Sequence, residues 1–296
     1  MGGLSIFYLQ LLAKRYIIKM MKFFKMHGIG NDYIYFDCMK EEIAEPEKLS
    51  ISLSDRHFGI GGDGIILLCP SGKADIKMRM FNADGSEGKM CGNGIRCLGK
   101  LARDLGYVKS DICTVETLSG IKKLFFFYGS GNKVDKVRVD MGAPVLDGKK
   151  IPSLFQGGKV VDEPLEIDGR KFRVTLVNMG NPHCVVFADP DKTDIEGLGK
   201  KFENNCVFPD RVNTEFVAVT GKNRLKMRVW ERGSGETLAC GTGACAAAVA
   251  AVLNGYCDND KPITVTLSGG ELTIEYTDTV YMTGTATLVY TGEMNT

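Results

Sequence analysis

Charge of one sign is missing from this chain: 37 Lys and Arg stand against 36 Asp and Glu, for a net +1. That balance sets up no general field for nucleic acid or for a membrane surface. The ten cysteines include no CxxC pair and no short disulfide-scaffold spacing, so zinc and thioredoxin-type readings find no support. No GxxxxGK[ST] is present, which removes the P-loop as a phosphate cradle. A secretory signal is missing as well. The first 20 residues put Lys14, Arg15 and Lys19 after their apolar run instead of before it, and no small-residue cleavage site follows. That run is also too short to span a bilayer. Residues 1–20 read as an upstream extension of unknown role, with a surface amphipathic helix as the less favoured alternative. The start at Met21-Lys22-Phe23-Phe24 reads as a first strand.

What is present is a chain long enough for a sizeable core, in one large domain or two of ordinary size. Its 44% hydrophobic and 25% charged residues are those of a soluble globular protein. Cys97, Cys184 and Cys245 lie in apolar segments, where a free thiol behaves as a small hydrophobe. A reduced, cytoplasmic setting follows. Strand-like runs dominate: 33–37, 64–69, 75–81, 134–141, 172–177, 215–219, 226–230, 263–267, 271–276 and 281–290 are rich in β-branched and aromatic residues, with glycine turns between. Two stretches read as helices. In the first, Ile95, Leu98, Leu101, Ala102 and Leu105 recur at helical spacing before Gly106. The second, Gly243–Leu253, is apolar all round and predicts deep burial. The fold class is therefore α+β with mostly antiparallel pairing, and Met141-Gly-Ala-Pro144 is the expected boundary between two halves.

Both helices follow the same signature. Glu87-Gly-Lys-Met-Cys91-Gly-Asn-Gly94 and Glu236-Thr-Leu-Ala-Cys240-Gly-Thr-Gly243 share Glu-x-x-x-Cys-Gly-[Asn/Thr]-Gly, about half the chain apart. Either copy alone reads as a buried thiol beside a glycine turn. Repetition, with the shared upstream glutamate, turns the reading to chemistry. A helix start leaves unpaired N–H groups and a partial positive charge, which favours a thiolate. Glycines there let backbone N–H groups approach a carboxylate. Two such starts facing each other could hold one carboxylate with its α-carbon between two sulfurs. A Cys–His nucleophile using His27, His57 or His183 is the alternative at this level, but it leaves the second cysteine motif unexplained.

These segments, with others, resemble the diaminopimelate epimerase family. The match runs through Lys25-Met-His-Gly-Ile-Gly-Asn31-Asp32, Arg56-His-Phe-Gly-Ile-Gly-Gly-Asp63-Gly64, Phe81-Asn82-Ala-Asp-Gly-Ser-Glu87, Met179-Gly-Asn181-Pro-His183, Arg211-Val-Asn213 and Trp230-Glu231-Arg232-Gly-Ser-Gly-Glu236. The resemblance implies two pseudo-symmetric, β-rich, barrel-like halves, each wrapped around a central helix, with the active site in the cleft between them. It places residues 21–141 plus about 286–296 in the half that carries Cys91, and 142–285 in the half that carries Cys240. It implies interconversion of LL- and meso-2,6-diaminopimelate without cofactor or metal, by a cytoplasmic homodimer with no nucleic-acid or membrane partner. Cys91 and Cys240 would be the acid/base pair, with His183 and Glu231 supporting proton balance. Gly92, Asn93, Gly241 and Thr242 would bind the reacting carboxylate. Asn31, Asn82, Asn181, Asn213, Glu231 and Arg232 would hold the remaining amino and carboxylate groups.

Each assignment has a plainer counterpart. His183 fits a satisfied core histidine, the asparagines fit turns, and Glu231 with Arg232 fits a solvated pair. One departure stands out: Gly64 occupies a position where some family members carry a Gln that contacts substrate. Two rival functions compete, a proline racemase-like enzyme and a non-catalytic thiol switch. The first predicts His where this chain has Asn93. The second needs no duplicated glycines.

Overall fold

One pairing scheme occurs twice in the computed structural model, which describes residues 20–295. In its first copy, Met20–Gly28 pairs antiparallel with Asn31–Asp37, which runs parallel to Gly64–Cys69, itself antiparallel to Ile76–Asn82. Ile76–Asn82 then takes Glu87–Gly88 antiparallel and Ile112–Thr117 parallel, and Gly120–Tyr128 and Val134–Gly142 close the run antiparallel. The eight strands from Arg170–Asn178 to Val280–Thr285 repeat these pairings in the same order and direction. A parallel pairing needs a long connection, usually with a helix in it. Helices α1 (Pro46–Ser54) and α2 (Gly92–Asp104) fill the two parallel crossovers of the first copy, and α3 (Ile195–Glu203) and α4 (Gly241–Leu253) those of the second. The α+β, mostly antiparallel, pseudo-symmetric architecture is thus present, each half enclosing a central helix.

Strand limits lie within two residues of the sequence expectation at most places, and Gly64–Cys69 and Ile263–Leu267 coincide with it. Most of the expectation for residues 1–20 falls outside the described residues; only Met20 is described, where the first strand begins one residue early. The run 281–290, expected as one strand, is two. Val280–Thr285 pairs with Val134–Gly142 and joins the halves, while Thr287–Asn295 pairs with Met20–Gly28. Within the first, buried and half-buried residues alternate, but Thr287–Tyr290 is exposed throughout. Apolar composition continues across Ala286, so it could not mark where the backbone changes partners.

Both expected helices form. The α2 helix starts at Gly92 and stops where Gly106 adopts φ +81°. Ala244 through Ala251 of α4 are all 0% exposed, matching the burial expected of its all-apolar surface. The shorter α1 and α3 were not expected, although each carries a local signal: Pro46 in the first turn of α1, and Asp194 capping α3 through Gly197 N–H at 2.9 Å. One core cluster contains residues of both α2 and α4, and smaller clusters lie under α1 and α3.

Candidate active site

Cys91 and Cys240 occupy the same place on their two helices. Each is the N-cap in extended backbone, and each sulfur accepts from the N–H three residues on: Gly94 at 3.3 Å and Gly243 at 3.4 Å. The third-position glycines are required by packing. A Cβ at Gly94 would meet Ile66 Cδ1 at 2.5 Å, and one at Gly243 would meet Glu215 Oε1 at 2.7 Å. The two helix starts face one another across Met282. A Cβ on Gly92 would lie 2.9 Å from its Cε, and one on Gly241 3.0 Å from its Sδ. Asn93 Nδ2 crosses between the halves to donate to the Ala239 carbonyl at 3.2 Å.

Both thiols open on one cleft of about 1330 Å³. Of the residues expected there, Asn31, Asn82, Gly92, Asn93, Asn181, Glu231, Arg232, Gly241 and Thr242 line it with them. His183 and Asn213 stand behind the wall, with relative exposures of 0% and 4%. The His183 ring lies between Glu215 Oε1, 2.6 Å from Nδ1, and Asn181 Oδ1, 3.0 Å from Nε2, and so orients a lining asparagine. Asn213 accepts from Arg232 N–H at 2.9 Å and donates to the Pro182 carbonyl at 2.7 Å, which fixes the backbone that presents Arg232. Arg232 also donates through a guanidinium nitrogen to the Asp210 carbonyl at 2.8 Å.

Two carboxylates that the sequence reading did not single out organise the half-sites. Asp63 accepts from Asn31 Nδ2 at 2.6 Å, which turns Asn31 Oδ1 toward the Cys91 thiol, 3.2 Å away. Arg56 ties Asp63 to Asp32, at 3.0 and 2.7 Å. Glu215, 0% exposed, lies under the Cys240 turn, and its Oε2 has no partner among the described residues. Strand alternation carried the signal for it: in Asn213–Gly221, Glu215 shares the parity of core-facing Val217. Asp63 stood in a quoted motif, but its pairing is long-range.

Burial governs the electrostatics. Desolvation raises Cys91, opposed by the N–H groups of Gly94 and Asn93. Cys240 is pushed up further, first by burial and then by the nearby carboxylates of Glu231 and Glu215. Burial also raises Glu231, against hydrogen bonds from Thr237 and Cys240 that pull it down. Burial thus pushes both members of the Cys240–Glu231 contact toward their protonated forms. Gly64, at φ +153°, stands where an added Cβ would lie 2.0 Å from the Phe81 carbonyl oxygen, so this backbone accepts no longer side chain there. Among the described residues no cluster of three or more His, Cys, Asp or Glu is placed to hold a metal ion, and no helix is long and apolar enough to cross a membrane.

Solved structures share the fold at low sequence identity. A hydroxyproline epimerase from Agrobacterium vitis matches with TM-score 0.69 at 13% identity, over 95% of this chain and 94% of that one. A Bacillus anthracis phenazine biosynthesis protein of the PhzF family matches with TM-score 0.67 at 17% identity, over 93% and 99%. Sequence similarity is far closer elsewhere. Proteins named diaminopimelate epimerase from Acetivibrio thermocellus and Agathobacter rectalis are 51% and 50% identical, each match covering 93% of this chain and 99% of the relative. One from Methanococcus maripaludis is 50% identical over 93% of this chain and all of its own length. The family model for diaminopimelate epimerase matches residues 23–146 and 175–289. With two helix-capping thiols on one cleft and half its residues shared with these relatives, the chain belongs to the diaminopimelate epimerase family.

Proposed function

We propose that this protein interconverts LL- and meso-2,6-diaminopimelate by moving one α-proton between two thiols, without cofactor or metal. The observation that carries the reading is the pair of helix-capping cysteines on one cleft, each at the N-terminus of a central helix. The reacting carboxylate binds the N–H groups of Gly92-Asn93 and Gly241-Thr242. Charge-assisted hydrogen bonds of this kind contribute about 1.5–3 kcal/mol each, and every ~1.4 kcal/mol realised only in the transition state is about tenfold in rate. As the α-proton leaves, charge spreads onto the carboxylate and the helix termini stabilise it. One thiolate takes the proton and the opposite thiol returns one to the other face. Glu231 serves as a proton reservoir beside Cys240, and His183 acts through Asn181. Asn31, Asn82, Asn181, Glu231 and Arg232 grip the distant amino-acid end, Arg232 taking its carboxylate. Asn213 contributes by holding the Arg232 backbone.

The halves divide into residues 21–141 with the returning C-terminal segment from about 286, and 142–285. The protein works in the cytoplasm as a homodimer, with no nucleic-acid or membrane partner. Support for the dimer lies in Thr287–Asn295, which among the described residues pairs on one side only and exposes Leu288, Val289 and Tyr290 at 42%, 54% and 45%.

The deciding experiment incubates reduced protein with LL-diaminopimelate in deuterated solvent. Deuterium is expected at one α-carbon as the meso isomer forms, with none incorporated into proline or lysine. No exchange with reductant present ends the epimerase reading, and exchange of proline favours the proline racemase-like alternative. Cys91→Ala and Cys240→Ala should each lower turnover by about three orders of magnitude or more, the upper reach of lost general acid–base catalysis plus a lost proton donor. Near-normal epimerisation by either variant refutes the two-thiol assignment.

A further inference from the structure

The duplicated motifs differ five residues after the cysteine: α2 carries Arg96 where α4 carries Cys245. Arg96 is 0% exposed, the largest fully buried side chain in the described structure. It is held without a carboxylate. Nε donates to the Thr285 carbonyl at 3.3 Å, one terminal nitrogen donates to the Gly92 carbonyl at 3.1 Å, and the other has no partner among the described residues. The pocket is shaped for it. A Cβ at Gly28 would lie 2.8 Å from the unpartnered nitrogen, and one at Gly284 would lie 3.0 Å from Cζ and Nε. Two glycines on separate strands thus leave room for a guanidinium behind the first turn of α2.

A buried charge without a partner is costly unless an anion answers it. Burial works against this one, yet a guanidinium keeps its proton throughout the working range. The ionisable groups that interact most strongly with it are Cys97 of its own helix, Cys91 that caps that helix, Tyr35 of the strand Asn31–Asp37, and Cys245 of α4, and none of these four is a carboxylate. Only Cys91 among them lines the cleft. Cys91 in turn faces Arg96, Glu231, Tyr33 and the Asn31 amide. Glu231 acts on both thiols, but Cys240 has the Glu215 carboxylate as well, and Cys245 stands where α2 carries the arginine.

We infer that Arg96 is a fixed positioning charge of the thiol pair, which makes Cys91 the first of the two thiols to ionise and leaves the transferable proton on Cys240. The inference rests on the two-thiol reading of the cleft and makes its halves unequal.

The test is the rate of iodoacetamide alkylation of each cysteine against pH, followed by peptide mass spectrometry, in the unmodified chain, Arg96→Met and Arg96→Lys. The midpoint of each profile reports charge, whereas its plateau also reports access. Cys91 is expected to titrate below Cys240. Arg96→Met should raise the Cys91 midpoint by about one unit, a roughly tenfold slower reaction below it. Arg96→Lys should recover most of that, and Cys240 should change little. A Cys91 midpoint unmoved in folded Arg96→Met, or a Cys240 midpoint at or below that of Cys91, overturns the inference. Should Arg96→Met fail to fold, thiolate absorbance of Cys240→Ser against Cys91→Ser decides: the chain that keeps Cys91 must titrate lower, and the opposite order overturns the inference. These readouts need no turnover, so the inference can fail while solvent exchange still supports the epimerase, and the converse.

Discussion

At the scale of single residues, cysteine plays two parts, and burial with its neighbours separates them. Cys91 and Cys240 cap helices at the cleft, whereas Cys97, Cys113 and Cys245 are 0% exposed core residues. Burial pushes the three core thiols up to about 11, 12 and 12 respectively. An unfolded thiol ionises near ~8.5. The folded pKa is the higher one, so the associated stability is fully present below ~8.5 and is lost as pH rises toward 11–12. Urea unfolding with reductant should therefore give a free energy that holds steady from neutral pH to ~8.5 and falls by on the order of a few kcal/mol by pH ~10. A flat profile over that interval would mean these thiols do not hold their protons. The motif made Cys91 and Cys240 legible because it is local and occurs twice. Asp63, Glu215 and Arg96 were not singled out, because what distinguishes each is a partner, or the lack of one, far along the chain.

At the scale of elements, the end of α3 supports the strand turn that carries Glu231 and Arg232. Glu203, 6% exposed, accepts from Trp230 Nε1 at 2.7 Å, from Gly233 N–H at 2.9 Å and from Arg211 at 3.0 Å. Glu203→Gln keeps the volume but turns one acceptor into a donor facing donors. A loss of about 2–4 kcal/mol is expected in denaturant unfolding, together with a raised KM as the turn beneath Arg232 loosens. Unchanged KM in a folded variant would show that the turn holds without this carboxylate. The two central helices were readable from apolar spacing and glycine stops. Helix α3 was not, since its 9 residues expose polar side chains and its worth lies in what it holds.

At the scale of the whole molecule, two copies of one pairing scheme meet so that two helix starts share a cleft. The chain end returns as Thr287–Asn295 and pairs with Met20–Gly28, much as Glu163–Ile167 pairs with Arg170–Asn178. Its exposed apolar residues support the proposed dimer. Sedimentation should give twice the chain mass, and Val289→Lys on that strand should shift the protein toward monomer. A monomer without substitution removes the dimer from the reading. The β-rich class, the two central helices and the matched cysteine pair were legible along the chain, because periodicity and a repeated motif are properties of neighbouring residues. Long-range packing was needed to show that the two motifs open on one cleft, that the strand expected through residue 290 changes partners at Ala286, and that a lone guanidinium lies behind the first turn of α2 while Glu215 lies under the Cys240 turn. The helix-start motif makes both cysteines alike. What makes them different is the charge packed around each, and packing joins residues that the sequence keeps far apart.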